Sequence, residues 1–154
     1  MSAIIQTPTP KLADSLAFYQ QLGFKSCSAN LPNLYSDGKA IIEINPDRHA
    51  RAGLKLYRDS WSDVLASLTT FSGVLQTEEG YLLTDPSGTW IYLLEKAAPV
   101  VDLSDIPKSG LGNFAGISME VLDLAKAISF WEIFGFQQTM GGVEQGWVSL
   151  ADEA

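Results

Sequence analysis

Glu43 and Lys55 are the opposite charges that a shared cavity would bring together, as a recognition pair, a proton-transfer pair or a structural salt bridge satisfying two buried charges. Trp90 and Tyr92 stand two residues apart, which puts both on one face of a strand, either stacked on a planar ligand or packed as ordinary aromatics. Gln6 and Tyr57 fall on the same face once the strands are aligned. The candidate ligand-binding set is therefore Gln6, Glu43, Lys55, Tyr57, Trp90 and Tyr92. None of these forms a catalytic signature, and no catalytic residue is assigned.

Other reactive chemistry is thinly supplied. The sole histidine, His49, lies in the loop-like stretch NPDRHARAG, where an exposed loop residue is the expected role. The single cysteine, Cys27, has no partner for an internal disulfide and reads as a small apolar filler in a strand. One histidine and one cysteine fall short of a zinc ligand set. Serines are plentiful, but there is no G-x-S-x-G elbow and the histidine lies far from any nucleophile-like motif, which argues against nucleophilic hydrolysis. Gly141-Gly142 and Gly110-x-Gly112 are too short for a phosphate or dinucleotide loop and read as turns.

The elements that must position these side chains are organised by an internal repeat. Residues 11–24, KLADSLAFYQQLGF, align without gaps on residues 123–136, DLAKAISFWEIFGF, at a constant offset of 112. Both read as amphipathic helices. In the first, Thr9 caps, Pro10 takes the first helical position, Leu12, Leu16 and Tyr19 form the apolar stripe, and Gly23 with Phe24 ends it. In the second, Asp123 caps, Leu124, Ile128 and Trp131 form the stripe, and Gly135 with Phe136 closes.

Around the first helix, strands are expected at 3–7, 25–30, 34–37 and 40–45, with Asp37-Gly38 as a hairpin turn, so residues 1–46 read βαβββ. A second unit of the same order covers 51–96. It has a strand at 53–57, a helix at 61–71 opened by a Ser60/Asp63 capping box and closed by Gly73, and strands at 74–78, 81–84 and 89–95. Asp85-Pro86-Ser87-Gly88 suits a type I turn before the last of these. Residues 97–112, with Pro99, Pro107 and Gly110, read as a linker. A third unit offers a strand at 116–121, the helix at 123–134, and strands near 137–143 and 146–151, without a closing fourth strand.

The expected organisation is a complete paired-module domain over 1–96, a linker over 97–112, and an incomplete βαββ module of a second such domain over 113–154. An incomplete module leaves an open strand edge and an uncovered face, so it is expected to pack on another surface. A second copy of the chain is the favoured cover, giving a homodimer.

Hydrophobic residues make up 46% and charged residues 18%, which suits a conventional core. A formal charge of −8 argues against a grip on phosphate backbones, so nucleic acid is not an expected partner. Residues 1–96 carry eight basic against ten acidic side chains, and residues 97–154 two against eight, so the acidity lies in the last third. No apolar run reaches the roughly 18–20 residues of a membrane helix, and no signal-peptide pattern opens the chain. No membrane partner and a cytoplasmic location are expected.

Tandem βαβββ units carrying SLAFYQQLGF at 15–24, AISFWEIFGF at 127–136 and DPSG at 85–88 resemble the glyoxalase/bleomycin resistance protein/dioxygenase superfamily, also called vicinal oxygen chelate. The resemblance covers nearly the whole chain. It implies an α+β fold in which tandem βαβββ modules pair into a curved, open mixed-sheet barrel around a concave site, with helices outside. Strand alternation then puts Ile42, Ile44, Leu54, Leu56, Ile91 and Leu93 under the helices and the six candidate residues on the concavity.

Metal enzymes of that superfamily carry His or Gln on the first strand of each module and Glu on the last; the matching positions here hold Ile4, Glu43, Gly53 and Tyr92. One carboxylate among four is too few, so neither a metal nor another cofactor is expected. The resemblance thus implies a metal-independent protein that holds a small organic or aromatic ligand in the concave face of its first domain. The alternative is a lyase, isomerase or dioxygenase-like enzyme of the same superfamily, with a metal site that is shifted or shared between chains. An interaction module with a vestigial site is a third reading.

Overall fold

A computed structural model describes residues 2–112 and 114–152, so that Met1, Asn113 and residues 153–154, at the ends of the expected 1–96 and 113–154 units, lie outside the described residues. The fold is α+β, with three α-helices among the described residues and a large mixed sheet. The first expected unit supplies β1 (Ser2–Pro8), α1 (Leu12–Gln21), β2 (Lys25–Ser26), β3 (Leu34–Ser36) and β4 (Ile41–Asn45). The second supplies β5 (Gly53–Arg58), α2 (Leu65–Leu68), β6 (Leu75–Thr77), β7 (Gly80–Thr84) and β8 (Trp90–Glu95). These eight strands form one sheet in the order β2-β3-β4-β1-β5-β8-β7-β6.

The two first strands, β1 and β5, run antiparallel at the centre, and each lies parallel to the last strand of its own unit. A shift of 49 residues carries Ile4 to Gly53 and Gln6 to Lys55, and it exchanges the central pairs Ile4–Lys55 and Gln6–Gly53. The same shift turns the parallel pair Gln6–Glu43 into Lys55–Tyr92. The sheet therefore has an internal two-fold relation between β1 and β5. It places both units' inward-facing residues on one common surface.

The outer face is apolar because each strand alternates with period two. Ile42, Ile44 and Tyr35 pack against Leu12, Leu16, Tyr19 and Phe24 of the α1 region. Leu54, Leu56, Leu83, Ile91 and Leu93 pack against Trp61, Val64 and Leu68 around α2. Gly23 ends the first helical segment in the left-handed region at φ +92°, which returns the Phe24 N–H to the Tyr19 carbonyl at 3.0 Å.

Local chemistry shifts several boundaries. Thr9 does not cap α1; its Oγ1 accepts from the Lys11 N–H at 3.1 Å and bonds the Ser15 hydroxyl at 2.6 Å, and the helix begins at Leu12. The helix expected at 61–71 contracts to α2. Its start is tied to β8, where the Trp61 N–H donates to Glu95 Oε1 at 2.9 Å and the indole N–H to the Leu94 carbonyl at 3.3 Å. Asp63 pairs with Arg58 at 2.6 Å instead of capping. At the other end Thr69 and Thr70 bond back to the Ala66 and Ser67 carbonyls, a competition that weakens helix continuation.

Residues 97–112 are more than a connection. Ala98, Val101, Leu103 and Ile106 pack on Ile4, Cys27, Leu34, Tyr57 and Leu94. The Asp102 N–H donates to the Cys27 carbonyl at 2.8 Å and the Gly110 N–H to the Leu22 carbonyl at 3.2 Å. The segment is a strap over the apolar end of the sheet face that carries Ile4, Tyr57 and Leu94.

Beyond it, α3 (Leu124–Glu132) is capped by Asp123, whose carboxylate accepts from the Lys126 N–H at 3.0 Å. The strands β9 (Gln137–Gly142) and β10 (Trp147–Ala151) follow as an antiparallel pair. The strand expected at 116–121 does not form. Among the described residues no strand runs beside it, so its backbone has no ladder to join. Phe130 and Trp131 of α3 bury into the outer core of the second unit, with Phe130 edge-on to Phe71 and Phe134 edge-on to Trp61. The surface that the third unit covers thus belongs to the same chain.

Candidate functional site

Pairing register sets the layout of the sheet face opposite the helices. Glu43, Gln6, Gly53 and Trp90 form one row across β4, β1, β5 and β8; Ile4, Lys55 and Tyr92 form the next; Tyr57 and Leu94 follow. Lys55 reaches diagonally across β1, and its Nζ lies 2.6 Å from Glu43 Oε2, with the two side chains 16% and 23% exposed. Partial burial strengthens this pair relative to a surface ion pair.

Amide groups brace the pair. Asn45 Nδ2 donates to Gln6 Oε1 at 3.0 Å and, at 3.5 Å, to Glu43 Oε1. Gln6, buried in the sheet, donates through Nε2 to the Arg51 carbonyl at 2.8 Å. The Arg51 N–H in turn donates to the Tyr92 hydroxyl oxygen at 3.2 Å, and Lys55 Nζ lies 5.9 Å from the Tyr92 ring centroid. Two candidate residues, Gln6 and Tyr92, therefore hold down the loop that joins the two units.

A cavity of about 320 Å³ opens at this point, walled by Gln6, Asn45, Lys55, Tyr57, Tyr92 and Leu94. Its rim carries the Lys96–Glu79 ion pair at 2.5 Å, together with Asp47 and His49. Four of the candidate residues, Gln6, Lys55, Tyr57 and Tyr92, thus share one cavity. Glu43 does not line it but holds Lys55, and Trp90 lies off it in the row of Gly53. A larger hollow of about 400 Å³ lies between β2 and the strap, lined by Lys25, Cys27, Asp102 and Asp105, but it holds none of the six candidate residues, and burial pushes the Cys27 thiol up, away from the reactive thiolate. The smaller cavity gathers four of the candidate residues, which makes it the candidate site.

Tyr57 is 6% exposed, and burial first, then the charges of Glu43 and Glu79, push its phenol from the ordinary value near 10 up to about 12. The folded chain therefore keeps this proton where the unfolded chain has lost it, so the contribution is complete below about pH 10 and vanishes as pH rises through about 12. Denaturant titrations should accordingly show wild type losing stability relative to Tyr57→Phe across that window. A parallel decline of the two proteins would contradict the buried phenol.

The four positions matching a chelate hold Ile4, Glu43, Gly53 and Tyr92, and among the described residues no group of three His, Cys, Asp or Glu side chains is placed to hold a metal. A Cβ added at Gly53 would collide with the Trp90 carbonyl, so no donor side chain fits there without moving a strand. No family model matches the chain, and no curated protein does. The site's chemistry rests on its own residues. Sequence reading placed Asn45 on this face without singling it out, and it missed the Glu79–Lys96 rim, whose members lie at the ends of separate strands.

Proposed function

We propose that this chain is a metal-independent small-molecule-binding protein of the glyoxalase/bleomycin-resistance type, its paired modules curving as an open barrel around an organic guest. The observation that carries this reading is the cavity on the shared face of β1, β5 and β8, where Lys55, Tyr57 and Tyr92 converge beside Leu94. The two-fold relation between the units supports the paired-module arrangement, since both first strands contribute to one surface. Concave, partly apolar sites with a few fixed polar groups suit small ligands.

The donor set argues for organic rather than metal recognition. Glu43 is the one carboxylate at the chelate positions, and Lys55 already neutralises it. Adding nickel, zinc, manganese or iron(II) is expected to leave the melting temperature of the chain unchanged, because a ligand stabilises a fold only by binding it. A rise that Glu43→Ala abolishes would overturn the metal-independent reading.

A further inference from the structure

Two arginines at the cavity rim, Arg48 and Arg51, form no ion pair among the described residues. The backbone of Arg51 is fixed from both sides by the cavity floor, its N–H donating to the Tyr92 hydroxyl oxygen at 3.2 Å and its carbonyl accepting from Gln6 Nε2 at 2.8 Å. Its guanidinium reaches back along the loop. There Nη1 donates to the His49 carbonyl at 3.2 Å and the Ala50 carbonyl at 3.1 Å, and both residues line the cavity. Those bonds spend the two Nη1 protons. The Nε–H and the two Nη2 protons remain, and the Nε–Nη2 edge of a guanidinium offers two parallel donors spaced for the oxygens of one carboxylate.

Charge at the rim points the same way. Lys55 is paired with Glu43 and Lys96 with Glu79, so those four groups cancel. Asp47 adds one negative charge, and its carboxylate accepts the His49 N–H. Arg48, whose Nε donates to His49 Nε2 at 2.9 Å, and Arg51 add two positive charges. The cavity, its ion-pair partners and its loop therefore carry an excess of one positive charge in a chain of net charge −8. A guest cation enters against that excess, and a monoanion is matched by it.

We propose that the cavity takes a small aromatic carboxylic acid as its anion, the carboxylate on the free edge of Arg51 at the rim and the ring in the cavity whose walls include Tyr57, Tyr92 and Leu94. This rests on the small-molecule-binding reading above and narrows it. A volume of about 320 Å³ suits a guest of one or two rings. Because Gln6 and Tyr92 already hold the Arg51 backbone, little ordering of the loop is left for the guest to bring about.

Four probes are titrated into the full chain by calorimetry and ligand-observed NMR: benzoate, benzamide (the same ring without the charge), acetate (the same charge without the ring) and phenyl phosphate. The expected result is benzoate bound about 10-fold more tightly than any of the other three, the worth of a charge-assisted pair at an exposed rim. Arg51→Gln, which keeps the backbone bonds to Tyr92 and Gln6, should weaken benzoate about 5–10-fold and leave benzamide unchanged. Equal binding of benzoate and benzamide by wild type, or an unaltered benzoate affinity in Arg51→Gln, overturns the assignment of Arg51 while leaving the small-molecule reading in place. Acetate matching benzoate overturns the seat of the ring in the cavity, and phenyl phosphate binding best overturns the carboxylate class. Failure of all four to bind, each tested to its solubility limit, overturns both the proposal and the reading beneath it.

Discussion

Phe130→Ala should lower the unfolding free energy by about 3–5 kcal/mol, read from the urea midpoint, whereas Phe18→Ala should change it by less than about 0.5 kcal/mol. The two phenylalanines occupy the same place in the helical repeat, 112 residues apart. Their surroundings are opposite. Phe130 is 0% exposed and meets Phe71, Trp131 and Phe134 edge-on with centroids 5.4–5.7 Å apart. Phe18 is 55% exposed and meets the Tyr19 ring at 5.3 Å. Truncating the first removes apolar area and leaves a void between the third unit and the outer face of the sheet; truncating the second removes surface that water already reaches. Equal, small effects would mean that α3 does not dock where it is described.

That contrast also marks what a sequence can convey. The repeat revealed both helices, and period-two alternation identified Leu54, Leu56, Ile91 and Leu93 as outward core, because both patterns are local; the stripe expected at Leu124, Ile128 and Trp131 holds only at Trp131, since Ala127 and Phe130 are the other buried residues of α3. Asp123 acts as a cap for the same reason. Features set by distant partners were not legible. A strand at 116–121 needs a neighbour, and among the described residues it has none. Helix α2 is short because Trp61 is fastened to β8, 33 and 34 residues away. Val101, Leu103 and Ile106 follow no period, so a segment punctuated by proline and glycine gave no sign that it straps the sheet face opposite the helices.

The site divides in the same way. Face membership was legible for Gln6, Glu43, Lys55, Tyr57, Trp90 and Tyr92, since it follows from alternation along each strand. Which of them share the cavity depends on register between strands, and register put Trp90 beside Gly53 and Glu43 within diagonal reach of Lys55. The ion pair thus meets the cavity through Lys55, which lines it, while Glu43 does not.

Breaking that pair from one side is the second large effect. Lys55→Met is expected to destabilise the chain by about 2–3 kcal/mol, below the 3–5 kcal/mol of a fully buried pair because Glu43 keeps some contact with water. Removing the ammonium leaves the carboxylate 23% exposed in the wild-type geometry, with Asn45 at 3.5 Å as its remaining donor. The double variant Glu43→Gln/Lys55→Met should recover most of the loss, since a neutral amide costs far less to keep in that position. Urea unfolding of wild type, both single variants and the double variant closes the cycle and isolates the coupling between the two charges. If the double variant proved as unstable as Lys55→Met alone, charge would not be the cause. The loss would then lie in the lysine's own contacts, the packing of its aliphatic stem and its ammonium 5.9 Å from the Tyr92 ring centroid, and Lys55 would be a wall of the cavity before it is a donor to a guest.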